Sequence, residues 1–283
     1  MSAARYRAFV AVAQHGSLSA AARELGLSQP TVSSQIATLE RQSHTELFHR
    51  RGYRMSLSSA GQQLLGLAQK IVALESEAAL FLRDAGQLNQ GELKLGAVGP
   101  FHVIEMVAAY RARYPGMRVS IRMGNSQQVL QDLERYTIDV AVLAGAATRP
   151  EFVVREYARH AVILFAHVDH PFAQRKEVAL RELQGQPLLL REQGSTTRLA
   201  MEQALQAAGV LPQVPLEIGS REAIREAVAR GLGLGVVSEA EFIPDPRFRA
   251  VRIAGDPAGT VTSVVSLAER RDGLLVRSFW EAV

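Results

Sequence analysis

A chain of 283 residues is longer than one ordinary hydrophobic core needs, so at least two domains are expected. Its 47% hydrophobic and 21% charged residues are proportions of a globular chain and argue against extended disorder, and the lack of any cysteine excludes a disulfide framework and a thiolate metal site. The net charge of +4 is uneven: residues 1–58 carry seven arginines against three glutamates while the remainder is balanced, which suits a basic terminal module that meets a polyanion.

The opening Met1-Ser2-Ala3-Ala4-Arg5-Tyr6 runs directly into an amphipathic pattern with no apolar export signal. No apolar run approaches the roughly 20 residues of a membrane span, so a cytoplasmic protein without membrane contact is expected. Tyr6, Phe9, Val10 and Ala13 lie at helical spacing and predict a first helix over 5–14, closed by Gly16. Ser17 can cap a second, short helix of small residues, Ala20-Ala21-Ala22, ending at Gly26. Ser28 caps a third, with Pro30 tolerated in its first turn and Val32, Ile36 and Leu39 on its buried stripe.

Two short helices joined by a glycine turn form a helix-turn-helix, whose second helix enters the major groove of double-stranded DNA. Gln29, Thr31, Ser33, Ser34 and Gln35 are read as facing away from the buried stripe. With Pro30 in the first turn, they form the candidate groove surface, since amides and hydroxyls match base-edge donors and acceptors. The run Leu47-Phe48-His49-Arg50-Arg51-Gly52-Tyr53-Arg54 has the shape of a two-stranded wing projecting Arg50, Arg51 and Arg54 toward the DNA backbone or minor groove. From Ser58 a long helix is predicted to about Leu88, with Leu64, Leu65, Ala68, Ile71, Val72, Ala78, Ala79 and Leu82 along a broad stripe. Such a helix is expected to pack against its copy in a homodimer or homotetramer, matching a two-fold DNA site.

Ala20-Ala21-Ala22-Arg23-Glu24-Leu25-Gly26-Leu27-Ser28-Gln29-Pro30-Thr31-Val32-Ser33, then Ile36-Ala37-Thr38-Leu39-Glu40, Leu47-Phe48-His49-Arg50 and Leu57-Ser58-Ser59-Ala60-Gly61 resemble the signature of LysR-type transcriptional regulators. Where the family commonly has Leu-Thr, this chain has Leu57-Ser58, which preserves the capping hydroxyl. The resemblance implies a transcription regulator with RNA polymerase as a further candidate partner.

From Gln90 the pattern alternates: strand 92–98, helix 101–114, strand 117–123, helix 126–136 and strand 138–144. A second series begins near Phe165 with strand 187–190, helix 196–208, strand 215–218, helix 221–230 and strand 235–237. A last strand, 261–267, and helix, 272–283, return to the first lobe. The resemblance implies two lobes like those of periplasmic binding proteins, joined by two crossovers with an effector between them. The expected α/β organisation is therefore a winged helix-turn-helix over 1–58, a linker and dimerisation helix over 59–89, and an effector domain over 90–283. Within that domain, lobe one takes about 90–163 and 262–283, and lobe two about 164–261.

Open parallel sheets bind ligands beyond the carboxyl ends of their strands. The candidate effector residues are therefore Gly99, Pro100 and Phe101; Asn125, Ser126 and Gln127; Gly194, Ser195, Thr196 and Thr197; and Ser220 and Arg221. Three of these segments set hydroxyls at helix N-termini, which favour an anion, although simple capping explains each hydroxyl equally well. Enzyme readings find no support. Gly231-Leu232-Gly233-Leu234-Gly235 follows a helix and precedes a strand, the reverse of a dinucleotide loop. His167-Val168-Asp169-His170 has no third ligand at metal spacing, and no nucleophile elbow occurs. No catalytic residue, metal or cofactor is expected.

Gly124-Asn125-Ser126-Gln127, Leu188-Leu189-Leu190-Arg191-Glu192-Gln193-Gly194-Ser195 and Ser220-Arg221-Glu222-Ala223-Ile224-Arg225-Glu226-Ala227 resemble a LysR-type subgroup associated with 2-aminoethylphosphonate catabolism. That resemblance implies a small anionic effector, 2-aminoethylphosphonate or a related phosphonate. Arg198 or Arg221 would supply a cation, and Glu192, Glu222 or the face of Phe101 would meet the ammonium end. A carboxylate or sulfonate would use the same donors. A solute-binding protein would share the bilobal half but has no use for the basic N-terminal module.

Overall fold

The computed structural model describes residues 2–84, 88–145 and 149–283. The first helix, α1 (Ala3–His15), buries Phe9, Val10 and Val12 and stops at Gly16. In α2 (Leu18–Leu25) the buried face is only Ala21 and Ala22, small enough for close approach of α1 and α3 (Gln29–Ser43). Ser28 caps α3 by accepting the Thr31 N–H at 3.2 Å, and Val32, Ile36 and Leu39 are buried, as the pattern predicts. The strands β1 (Phe48–Arg51) and β2 (Arg54–Leu57) form the hairpin wing, closed by Gly52 and Tyr53. Buried Leu47, Phe48 and Met55 tie its base to the helical core.

The helix α4 (Ser59–Asp84) is 26 residues long, about 39 Å at 1.5 Å per residue. Its expected continuation toward Leu88 crosses residues 85–87, which lie outside the described residues. The stripe expected to face a second copy divides in two. Leu64, Leu65, Ala68 and Val72 pack inside this chain against the core around α1, because they lie on the side of α4 turned to that helix. Ile71, Ala78, Ala79 and Leu82 of that stripe are exposed, and Ile71 and Ala78 join exposed Leu67, Leu74 and Phe81 in one row at alternating spacings of four and three, the period of a coiled-coil seam.

Lobe one contains β3 (Gly91–Ala97), α5 (Pro100–Arg113), β4 (Met117–Met123), α6 (Ser126–Glu134) and β5 (Val140–Ala144). Its three strands are parallel in the order β4-β3-β5. The next strand, β6 (Phe152–His167), runs for 16 residues, about 50 Å at 3.3 Å per residue. Lobe two adds β7 (Glu177–Val178), β8 (Pro187–Leu190), α7 (Thr196–Ala207), β9 (Gln213–Glu217), α8 (Arg221–Ala229), β10 (Leu234–Ser238) and β11 (Phe248–Ile253). The chain then returns through β12 (Gly259–Leu267) and α9 (Leu274–Ala282).

The change of lobe falls inside β6. Residues 152–161 of it pair with β12 of lobe one, and residues 162–167 pair with β10 and β11 of lobe two. The sequence pattern starts its second series near Phe165 and assigns no strand to 152–167, because 153–161 mix half-buried and exposed positions and conceal their continuity with the buried run 162–166. Each lobe's sheet carries a core on either face: around Leu93, Tyr110 and Phe279 and around Leu133, Ile138 and Val265 in lobe one, and around Leu164, Leu188 and Met201 and around Phe165, Leu189 and Phe248 in lobe two. No helix among the described residues is long and apolar enough to cross a membrane.

Candidate functional site

Two surfaces carry the chemistry. On the first, Gln29, Pro30, Thr31 and Ser34 of α3 are exposed, while Ser33 and Gln35 are half-buried. Gln35 departs from the expectation that it faces outward: its Oε1 is buried without a hydrogen-bond partner. The reason is helical geometry, since residue 35 is three after Val32 and adjacent to Ile36, at the margin of the buried stripe. Gln29 is held by Ser19, whose hydroxyl donates to its Oε1 at 3.1 Å. Arg50, Arg51 and Arg54 are all exposed on the wing. Glu40, which the sequence reading leaves unassigned, fixes the wing relative to α3: its Oε1 accepts the Leu47 and Phe48 N–H groups at 2.9 and 3.2 Å.

The second surface is a cleft between the lobes with about 570 Å³ of empty space, open to solvent. The helices α6 and α7 point their N-termini at one another across it. The Thr196 hydroxyl lies 2.7 Å from the Ser126 Oγ, and both hydroxyls are 2.9 Å from the Ala144 carbonyl. Asn125 caps α6 by accepting the Gln128 N–H at 2.9 Å, and its Nδ2 reaches lobe two, donating to Glu192 at 3.2 Å. Ser195 caps α7, accepting the Arg198 N–H at 3.5 Å.

Gly99, Phe101, Asn125, Ser126, Ser195, Thr196, Thr197 and Arg221 line the cleft. Pro100, Gln127, Gly194 and Ser220 do not. Gly194, at φ 87°, sits where the lobes meet beside the cleft, and a Cβ there would come within 2.8 Å of Gln127 Oε1. Ser220 is occupied in capping α8, accepting the Ala223 N–H at 3.2 Å, and lies 2.8 Å from Glu222.

The wall residues missed by sequence reasoning include buried Arg191, His102, Glu241, and the buried hydroxyl pair Ser238 and Thr260, 3.1 Å apart. Ser238 ends β10 and was findable by the strand-end rule; Thr260 lies early in β12 and was not. Arg191 grips Glu192 through two hydrogen bonds of 2.7 and 2.8 Å. Burial opposes the charge of Glu192, but hydrogen bonds from Arg191, its own backbone amide and Asn125 hold its carboxyl below the ordinary range. Arg221 grips Glu241 in the same bidentate way, at 2.9 and 3.0 Å. Glu241 crosses toward lobe one so closely that a Cβ on Gly99 would meet its Oε1 at 2.2 Å. Arg198, the alternative cation, is instead bound to Glu202 and Glu217. His102 of α5 stacks on His160 of β6, their Nε2 atoms 3.0 Å apart.

A winged helix-turn-helix joined by a long helix to a two-lobed, hydroxyl-lined cleft defines a ligand-responsive DNA-binding regulator. Comparison with known proteins gives the particular family. Residues 4–62 match the model of the bacterial regulatory helix-turn-helix protein, lysR family, and residues 86–283 match that of the LysR substrate binding domain. The chain belongs to the LysR family of transcriptional regulators, which are not enzymes. It is 32% identical to the HTH-type transcriptional activator CmpR of Synechocystis sp. over 83% of this chain and 78% of that protein. Its fold is that of full-length CbnR in complex with its target DNA, with a TM-score of 0.72, 24% identity, and coverage of 100% of this chain and 99% of that one. The effector half is also similar to the regulatory domain of CcmR from Synechocystis PCC6803 in complex with 2-PG: TM-score 0.62, 24% identity, 68% of this chain and 95% of that one.

Proposed function

We propose that this regulator grips duplex DNA through residues 1–58 and pairs with a second copy along α4 within 59–89. A small anion held between the lobes of 90–283 controls it. Gln29, Thr31 and Ser34 reach base edges, while Arg50, Arg51 and Arg54 contact phosphates or the minor groove. The observation that carries the effector reading is the meeting of two helix N-termini across the cleft, with Thr196 and Ser126 in contact at 2.7 Å. Backbone N–H groups and the positive ends of both helix dipoles favour a negative group there. A bound anion would receive the hydroxyl protons now directed at the Ala144 carbonyl. Arg191 and Arg221 add positive charge, although each already pairs with a glutamate.

The shared chemistry is an oxyanion head: a phosphonate, a phosphate, a sulfonate or a carboxylate. For 2-aminoethylphosphonate the ammonium end would meet Glu241, which lines the cleft; Glu222 does not. The complex of the CcmR domain with 2-PG supports a small ligand in this fold. Calorimetric titration of the full chain with 2-aminoethylphosphonate, 2-PG, phosphate, sulfate and simple carboxylates tests the reading. Saturable binding of at least one anion, lost in Ser126→Ala, Thr196→Ala, is expected. Binding that survives this double variant would overturn the assigned site.

A further inference from the structure

Beside the cleft, lobe two keeps a second, smaller pocket open to solvent. Its inner wall is hydrocarbon, Phe165, Ile224, Val237, Phe242 and Phe248, with the exposed Ile243 at its rim. The Phe165 and Phe248 rings are 5.1 Å apart and Phe242 lies 6.0 Å from Phe165, so the three rings form one aromatic wall. Arg225, beside them, offers nothing inward. Its guanidinium lies over the Phe248 ring at 5.1 Å and donates to the Ile243 carbonyl at 2.5 Å. Packed interiors leave few gaps larger than a water molecule, and a polar group placed against this wall would go unpaired at a cost of roughly 1–3 kcal/mol.

The two spaces adjoin and share part of their walls. Arg191, Thr197, Arg221 and Glu241 line both, and the Arg221–Glu241 pair stands at the threshold. We propose that the effector is an amphipathic small anion. Its charged head lies in the hydroxyl cleft, and a compact hydrocarbon group passes the Arg221–Glu241 pair into the lobe-two chamber. This inference rests on the anionic-effector reading above and specifies the rest of the ligand. The arrangement is the usual one for a small-molecule pocket, in which a mostly apolar wall supplies affinity and a few convergent polar groups supply orientation. A ligand that is polar throughout, such as 2-aminoethylphosphonate, fills only the outer half.

A homologous series separates the two statements. The full chain is titrated with methyl-, ethyl-, propyl- and butylphosphonate, with phosphate and 2-aminoethylphosphonate beside them. Affinity is expected to rise about fourfold per methylene, from roughly 0.8 kcal/mol per buried CH₂, with butylphosphonate binding tighter than 2-aminoethylphosphonate. Ile243→Trp, a change at the half-exposed rim that fills the chamber mouth, should flatten the gradient in protein that still binds DNA. Anions that bind with no dependence on chain length, or a gradient that survives Ile243→Trp, would overturn the chamber and leave the anionic site standing. Failure of all of these, and of the 2-PG, sulfate and carboxylates titrated above, to bind would overturn both.

Discussion

Arg270 ties lobe one to the long helix, and its removal should destabilise both. Its side chain is 3% exposed, bonds Asp139 Oδ1 at 2.8 Å and lies 3.7 Å from Glu77 of α4. Asp139 in turn accepts the Lys94 N–H at 2.8 Å. Arg270→Met keeps most of the apolar stem but strands two nearly buried carboxylates. Breaking such a pair from one side costs about 3–5 kcal/mol. Arg270 Nε has no hydrogen-bond partner, an orphan whose burial costs about 1 kcal/mol or more, so the lower end, about 3 kcal/mol, is expected. At about 2–4 °C per kcal/mol for a chain of this class, Tm should fall by about 6–12 °C. Arg277→Met is the control, because its contact with Glu281 is solvent-exposed and should contribute well under about 1 kcal/mol. The assay is thermal and urea denaturation of the full chain, with Asp139→Asn completing a double-mutant cycle. A loss below about 1 kcal/mol, or strict additivity with Asp139→Asn, would refute the assignment of a coupled buried network.

On the DNA surface, replacing Arg50, Arg51 or Arg54 with Ala should weaken binding to all sequences alike and lower the salt slope by about 1 each. Gln29→Ala should change base preference and Gln35→Ala should not, which a selection of binding sites from random duplexes would measure. Leu74→Lys, in the exposed row of α4, should shift the assembly toward monomer in analytical ultracentrifugation; an unchanged mass would count against that row as the interface. Burial and the neighbouring His102 lower the pKa of His160, against the weaker upward pull of Glu239 and Glu241, and burial lowers that of His170. Below about pH 6.5 the unfolded chain therefore takes up protons that the folded chain resists, and stability falls as the pH drops. His160→Gln should flatten that acid-side loss, measured as urea midpoints at pH 7.5 and 5.5, and an unaltered slope would rule His160 out as a contributor.

What was legible in the sequence follows the range over which each signal acts. The caps Ser17, Ser28, Ser195 and Ser220 were legible because a hydroxyl three residues before its partner N–H is a local contact, and helical periodicity identified Val32, Ile36 and Leu39 for the same reason. Gln35 is less exposed than the pattern predicts because five polar positions spread over 29–35 cannot all share one helical face, and residue 35 lies at the edge of the buried stripe. The division of α4 into an internal and an external stripe depends on where α1 packs, and composition around the helix does not contain that information. The cleft shows the limit most clearly. Its helix-terminal hydroxyls follow from the rule about strand ends, whereas Thr260, His102 and Glu241 come from a returning strand, the side of a helix and a short turn, and meet only because the chain crosses between lobes within β6 and again on its way into β12. The bidentate partners of Arg191 and Arg221 differ in the same way. Arg191 holds its immediate neighbour Glu192, a pairing visible in the sequence, while Arg221 holds Glu241, 20 residues away. That second pair lines both the cleft and the adjoining lobe-two pocket, and its Glu241 lies against Gly99 of lobe one, so a ligand that displaced it would act on both lobes at once.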